Sequence, residues 1–185
     1  MSKFLVIAEK PSVAQSYAKN LSAYKREDGY LEGESCIVSW CLGHLAEYAQ
    51  PEEYDPKYEK WQFDDLPILP EAWKLKVSKD KKKQFDVLKG LMNRSDVEYL
   101  VNGCDAGREG ELIFQRVYVL AGCRKPVKRL WISSMEDAAI QKGFQTMKSE
   151  EEYKNLCMAA VCRAQADWLI GMNGTRAVSY THLTL

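Results

Sequence analysis

The chain has no excess charge of either sign. Its 185 residues include 26 Lys and Arg against 26 Asp and Glu. A net charge of zero carries no general signature of a polyanion binder, so attraction for nucleic acid has to come from local clusters. Histidine is scarce, with His44 and His182 far apart. The six cysteines, Cys36, Cys41, Cys104, Cys123, Cys157 and Cys162, form no Cys-x-x-Cys pair. That argues against a zinc site and leaves them as reduced interior thiols of a cytoplasmic protein. No apolar run approaches the roughly 20 residues that cross a bilayer. The apolar N-terminal stretch ends at once in Glu9-Lys10, unlike a signal peptide, so no membrane association is expected. No Gly-x-x-x-x-Gly-Lys-Ser/Thr occurs, so no ATP site is expected, and Gly103, Gly107 and Gly110 lack the dinucleotide spacing.

What remains is an ordinary globular composition, 46% hydrophobic and 28% charged. Residues 3–8 read as a strand and 13–21 as a helix; Pro11 suits a first helical turn and Ser12 can cap it. Residues 29–34 read as a turn, 36–41 as a strand and 51–70 as an irregular excursion. A helix over 78–91 puts Phe85, Leu88 and Leu91 on one face. A strand at 97–102, a helix at 108–121, a strand at 127–132 and a helix from near Met135 follow, with Ser134 and Asp137 close to a capping box. This alternation predicts an α/β fold, a mainly parallel sheet flanked by helices. From Glu150 onward the pattern is helical, which puts a domain over 1–149 and the helical start of a second over 150–177.

The chemistry concentrates around Asn102-Gly103-Cys104-Asp105-Ala106-Gly107-Arg108-Glu109-Gly110-Glu111, where a strand ends and a helix begins. In an open parallel sheet that carboxyl edge is where ligands bind. Clustered carboxylates repel unless a cation sits among them, and oxygen ligands suit Mg²⁺. Helix-dipole stabilisation of first-turn acids is the plainer explanation for any single one of them. A second charged strand end, Glu9-Lys10-Pro11-Ser12, makes a shared cleft the better reading. Basic runs at Lys74, Lys76, Lys79, Lys81, Lys82 and Lys83, and at Arg124, Lys125, Lys128 and Arg129, could follow a phosphate backbone or form solvated faces. His44 follows a glycine at a strand end and reads as a satisfied structural histidine.

These residues resemble the Toprim domain of type IA DNA topoisomerases, in the topoisomerase III branch. The likeness rests on Glu9-Lys10-Pro11-Ser12 and on Asp105 with Arg108-Glu109-Gly110-Glu111. Ser39-Trp40-Cys41-Leu42-Gly43-His44-Leu45, Arg129-Leu130-Trp131-Ile132-Ser133-Ser134, Arg163 to Asn173 and Thr175-Arg176-Ala177 extend it to residues 3–177. One position departs: the acidic motif of that family has a second Asp where this chain has Gly107. The resemblance implies an ATP-independent enzyme in which a tyrosine attacks single-stranded DNA, a strand passes through the gap and the break is resealed. No matching tyrosine motif occurs here, so the fragment is expected to lack the nucleophile and to need the C-terminal domains of the same enzyme. By resemblance, Glu9, Lys10 and Arg108 are catalytic. Asp105 and Glu109, with Glu9, hold Mg²⁺, and Glu111 supports them from behind. Trp61, Trp168 and Arg176 face the single strand. Residues 178–185 do not continue the likeness and read as an aberrant tail after a truncation or frameshift. Two other readings stay open: a stand-alone Toprim nuclease or primase-like protein, and a non-catalytic Mg²⁺-dependent DNA-binding module.

Overall fold

Leu5, Val6, Ile7 and Ala8 are all buried, so this strand is apolar on both faces and belongs in the middle of a covered sheet. The computed structural model, which describes residues 2–182, places it there. The elements run β1 (Lys3–Ala8), α1 (Pro11–Asn20), β2 (Lys25–Glu27), β3 (Tyr30–Glu32), β4 (Cys36–Trp40), β5 (Ala46–Tyr48), α2 (Pro51–Tyr54) and β6 (Leu75–Val77). They continue with α3 (Lys82–Met92), β7 (Val97–Gly103), α4 (Arg108–Leu120), β8 (Val127–Arg129), α5 (Asp137–Gln145), β9 (Lys148–Ser149) and α6 (Lys154–His182).

The seven-stranded sheet has the order β2-β3-β4-β1-β7-β8-β9. β4, β1, β7 and β8 are mutually parallel, while β2, β3 and β9 add antiparallel edges. The mainly parallel α/β sheet expected from the sequence is therefore present. On one face Phe85, Leu88 and Met92 of α3 pack with Ile113, Phe114 and Val117 of α4. On the other, Ala14, Tyr17 and Ala18 of α1 pack with Ile140 of α5. β5 and β6 form a separate ribbon beside the main sheet.

Several local expectations change. The turn expected over 29–34 is confined to its start: Gly29 takes a left-handed φ of +86°, and Tyr30–Glu32 pairs with β4. Leu31 opposite Val38 makes that pairing favourable, which a Gly- and Glu-rich segment hides in one dimension. β8 ends at Arg129 rather than residue 132. α3 starts at Lys82 after a 3-10 turn. Pro11 does occupy the first turn of α1, but the cap position is Lys10, with no side-chain cap; Ser12 is not the cap. Ser134 Oγ accepts from the Glu136 N–H at 3.3 Å, yet α5 is capped at Glu136 and the box with Asp137 does not form.

The 51–70 excursion wraps a cluster built on Tyr48, Ile68 and Trp168. The 29-residue α6 runs beside α4 and closes this cluster. Asn173 on α6 ties it down, accepting from the Ile68 N–H at 2.6 Å and donating to the Ile68 carbonyl at 3.1 Å. Helix continues past Ala177 to His182; the remainder of the expected tail, 183–185, lies outside the described residues. Among the described residues no helix is long and apolar enough to cross a membrane.

Candidate functional site at the carboxyl edge of the sheet

The register of the central strands brings the two charged turns together. Ala8 stands opposite both Trp40 and Gly103, so Glu9 and Cys104-Asp105 leave the same sheet edge side by side, as the sequence suggested. Gly43, at φ +66°, turns the chain after β4 and delivers His44 to that edge.

A cavity of about 620 Å³ opens there, with Asp105, Arg108 and Glu109 on one wall and Arg163 and Asp167 of α6 on the other. Asp105, Arg108 and Glu109 are exposed at its mouth. Glu9 and Lys10 do not line it. Glu9 is buried at the neighbouring strand end, its Oε1 3.9 Å from Lys10 Nζ, and its Oε2 is buried without a hydrogen-bond partner. A buried carboxylate oxygen left open is costly unless something outside the protein completes it.

Glu109, expected as a metal ligand, is engaged by His44 through Nε2. Arg116 Nη1 lies 3.4 Å from His44 Nδ1. Arginine carries only donors, so Nδ1 accepts and the proton on Nε2 faces Glu109. Arg116 is held in turn by the Ala46 carbonyl at 3.2 Å and lies 4.7 Å over the Tyr48 ring. Both ring nitrogens of His44 are therefore satisfied, as expected of a structural histidine, and the residue also lines the cavity. Its Gly-His-Leu setting was visible in the sequence, but its partner 65 residues away was not.

Among the described residues no three His, Cys, Asp or Glu side chains stand ready to hold an ion by themselves. Glu9, Asp105 and Glu109 are therefore not a preformed cage. They do fit a hard cation that keeps waters and borrows one or two carboxylates and a phosphate. The open Oε2 of Glu9 beside the exposed Asp105 is the donor set of that kind.

Glu111 points the other way. It is 1% exposed, with Arg129 Nε 2.5 Å from its Oε1 and Asn102 Nδ2 3.3 Å from its Oε2. Arg129, expected in a phosphate-following basic run, is fully buried and cannot meet a phosphate backbone. Gly110 has to be glycine: an added Cβ would stand 2.1 Å from the Asp105 carbonyl oxygen. At Gly107 an added Cβ would meet nothing within 4 Å.

The expected DNA contacts divide. Trp61 is 45% exposed, with the Arg176 guanidinium 5.0 Å over its ring. Arg176 itself is buried and donates to the Tyr58 carbonyl at 2.8 Å, so it braces Trp61 rather than reaching into solvent. Both line a hollow of about 360 Å³ with Gln50 and Thr175. Trp168 is 7% exposed, donates to the Ala49 carbonyl at 3.0 Å and stands edge-on to Trp73 and Tyr54. It offers no face to a base; its role is packing.

The hydrogen bond with the Cys41 thiol, and then burial, push the Cys104 thiol well up, so it is no nucleophile. Burial, reinforced by Glu111, pushes the Glu150 carboxyl up to about 7.

A family model for the Toprim domain matches residues 4–135. The DNA topoisomerase 3 of Bacillus subtilis is 50% identical over 179 residues, 97% of this chain and 25% of that protein. That of Bacillus cereus is 51% identical over the same length, again 25% of the relative. Full-length topoisomerase I of Thermotoga maritima superposes with a TM-score of 0.60 at 18% identity, over 90% of this chain and 24% of that one, a likeness of fold. The chain spans about a quarter of the length of the curated relatives it matches.

Proposed function

The chain belongs to the Toprim-domain family, and on that premise we propose that it is the N-terminal part of an ATP-independent type IA DNA topoisomerase of the topoisomerase III kind, acting in the cytoplasm on single-stranded DNA. The observation that carries this reading is the pairing, at one sheet edge, of Glu9 and its open buried oxygen with the exposed Asp105 loop.

In this reading the attacking tyrosine comes from a segment outside these residues, and the breaking bond is a DNA phosphodiester. As the tyrosine oxygen bonds to phosphorus and its phenolic proton leaves to water, Glu9, buried at the strand end, gives a proton to the departing 3′-oxygen and takes it back on resealing. Lys10, its ammonium exposed beside Glu9, holds the scissile phosphate as a point charge. Arg108 at the cavity mouth neutralises a neighbouring phosphate. Asp105 would hold Mg²⁺, joined by Glu9 once its proton has passed to the 3′-oxygen and by Glu109 on release from His44; the cation would supply charge stabilisation to the phosphoryl oxygens. Trp61, braced by Arg176, offers a ring on which an unpaired base can stack. Energy is conserved in the phosphotyrosine link, so no nucleotide is consumed.

The test uses the 185-residue chain with a single-stranded oligonucleotide and supercoiled plasmid. We expect binding strengthened by Mg²⁺ and no cleavage, with Asp105→Asn losing the Mg²⁺ dependence. Binding equally strong with and without Mg²⁺ in the parent chain removes the metal role. Mg²⁺-dependent nicking of the plasmid replaces this reading with a Toprim nuclease.

A further inference from the structure

Arg129 has no exposure, and each of its three nitrogens has a hydrogen-bond partner. Its Nη1 donates to the carbonyls of Asn102, Cys104 and Leu130 at 3.0, 2.7 and 2.9 Å. Its Nη2 donates to the Asp105 carbonyl at 2.7 Å, and its Nε to Glu111. Three of those four carbonyls belong to the end of β7 and the loop that follows it. The Asn102 carbonyl also accepts from the Leu130 N–H at 3.0 Å, but those of Cys104 and Asp105 lie beyond the sheet ladder and before the helix, and a buried carbonyl without a partner is costly. The Asn102 side chain completes the floor, donating to Glu111 and accepting from the Cys104 N–H at 3.2 Å.

We propose that Arg129 is a positioning residue for Asp105: it grips the β7–α4 loop from beneath, through backbone carbonyls, and so sets where the Asp105 carboxylate stands at the cavity mouth. The functional half rests on the reading of Asp105 as a cation ligand. Neutralising Glu111 would need one N–H and would be met by any cation. A planar fork that reaches Asn102, Cys104 and Asp105 together is a property of arginine alone. The grip explains why the turn needs no capping side chain: the N-cap of α4 is Gly107, which has none, and the loop before it is held from the strand side. It also accounts for Gly110, since the loop is drawn down against the first turn of α4. Arg129 never meets substrate; it acts only through the loop.

Arg129→Lys in the 185-residue chain keeps a cation against Glu111 and loses the fork. Two readouts separate positioning from bulk stability: amide hydrogen exchange resolved by segment, and Mn²⁺ binding followed by the loss of its free-ion resonance. We expect exchange across 103–109 to speed by about tenfold while α1 and α3 stay protected. Mn²⁺ affinity should fall by about tenfold or more, as when a supporting partner of a metal ligand is removed. Unchanged exchange in the loop overturns the proposal, and so does faster exchange with unchanged Mn²⁺ affinity. If the parent chain binds no Mn²⁺, the cation reading of Asp105 fails, while the exchange data still decide whether Arg129 holds the loop. Should the lysine variant not fold, Arg129→Met with Glu111→Met removes the pair without stranding a charge, and the same two readouts apply.

Discussion

Glu109 and Glu111 leave the first turn of α4 in opposite directions, and the regions they enter differ in kind. Above the turn, the Glu109 side chain is 69% exposed and meets His44 at an open cavity. Below it, Glu111 is sealed under the sheet edge against Arg129 and Asn102. An exposed pair contributes about 0–1 kcal/mol, because water screens it and both side chains lose freedom. A buried pair adds little relative to an apolar core, but removing one partner strands the other charge. The upper acid can therefore change partners at low cost while the lower one cannot. A site that must accept and release a ligand sits on a floor that does not rearrange.

The comparison breaks most readily at its lower half. Glu111→Ala leaves the buried Arg129 guanidinium without its counter-charge, and should destabilise the chain by about 3–5 kcal/mol in urea unfolding. Glu109→Ala should cost less than about 1 kcal/mol. Equal effects would mean that burial does not separate the two acids. Gly110→Ala probes the boundary between the regions. Its Cβ meets the Asp105 carbonyl, a backbone atom that cannot swing aside. The expected cost is about 1–3 kcal/mol, with Mn²⁺ binding weakened because the loop has to lift. A variant as stable as the parent would show that the loop is not drawn down on α4. A separate handle lies in the pH dependence. Glu150 binds its proton more tightly in the folded chain, at about 7, than at the ordinary 4.5. The folded state then holds more protons than the unfolded one between those values, so stability falls as pH rises through this window. Glu150→Gln, neutral throughout, should flatten that slope in melts at pH 4.5 and 7, and should gain on the parent as pH rises. An unchanged slope would place Glu150 in water rather than beside Glu111.

Much of this was legible along the chain because it is local. A β-branched run followed by glycines, acids and a helical period fixes the β7–α4 turn, and parallel topology carries Glu9 to the same edge. What escaped reading depends on partners distant in sequence. Trp168 looks the same in one dimension whether it faces a base or, as it does, Trp73 and the Ala49 carbonyl. Arg129 looks like the end of a basic run with Lys125 and Lys128 until β8 stops and turns it inward. His44 and Glu109 belong to different strand–helix units, and only the fold introduces them. β3 is too short and too polar to announce itself without the strand it pairs with.

Gly107 gives the grip from beneath a consequence for how such a site can diversify. Its backbone is extended, at φ 166°, a conformation open to any residue, and space surrounds the missing side chain. Because the loop is shaped through main-chain carbonyls rather than through its own side chains, position 107 is free to mutate while the scaffold stays as it is. A carboxylate introduced there would alter the charge offered to a cation without asking the backbone for a new path. Ion preference and foldability are thereby uncoupled at this position, and a lineage can explore the first without endangering the second.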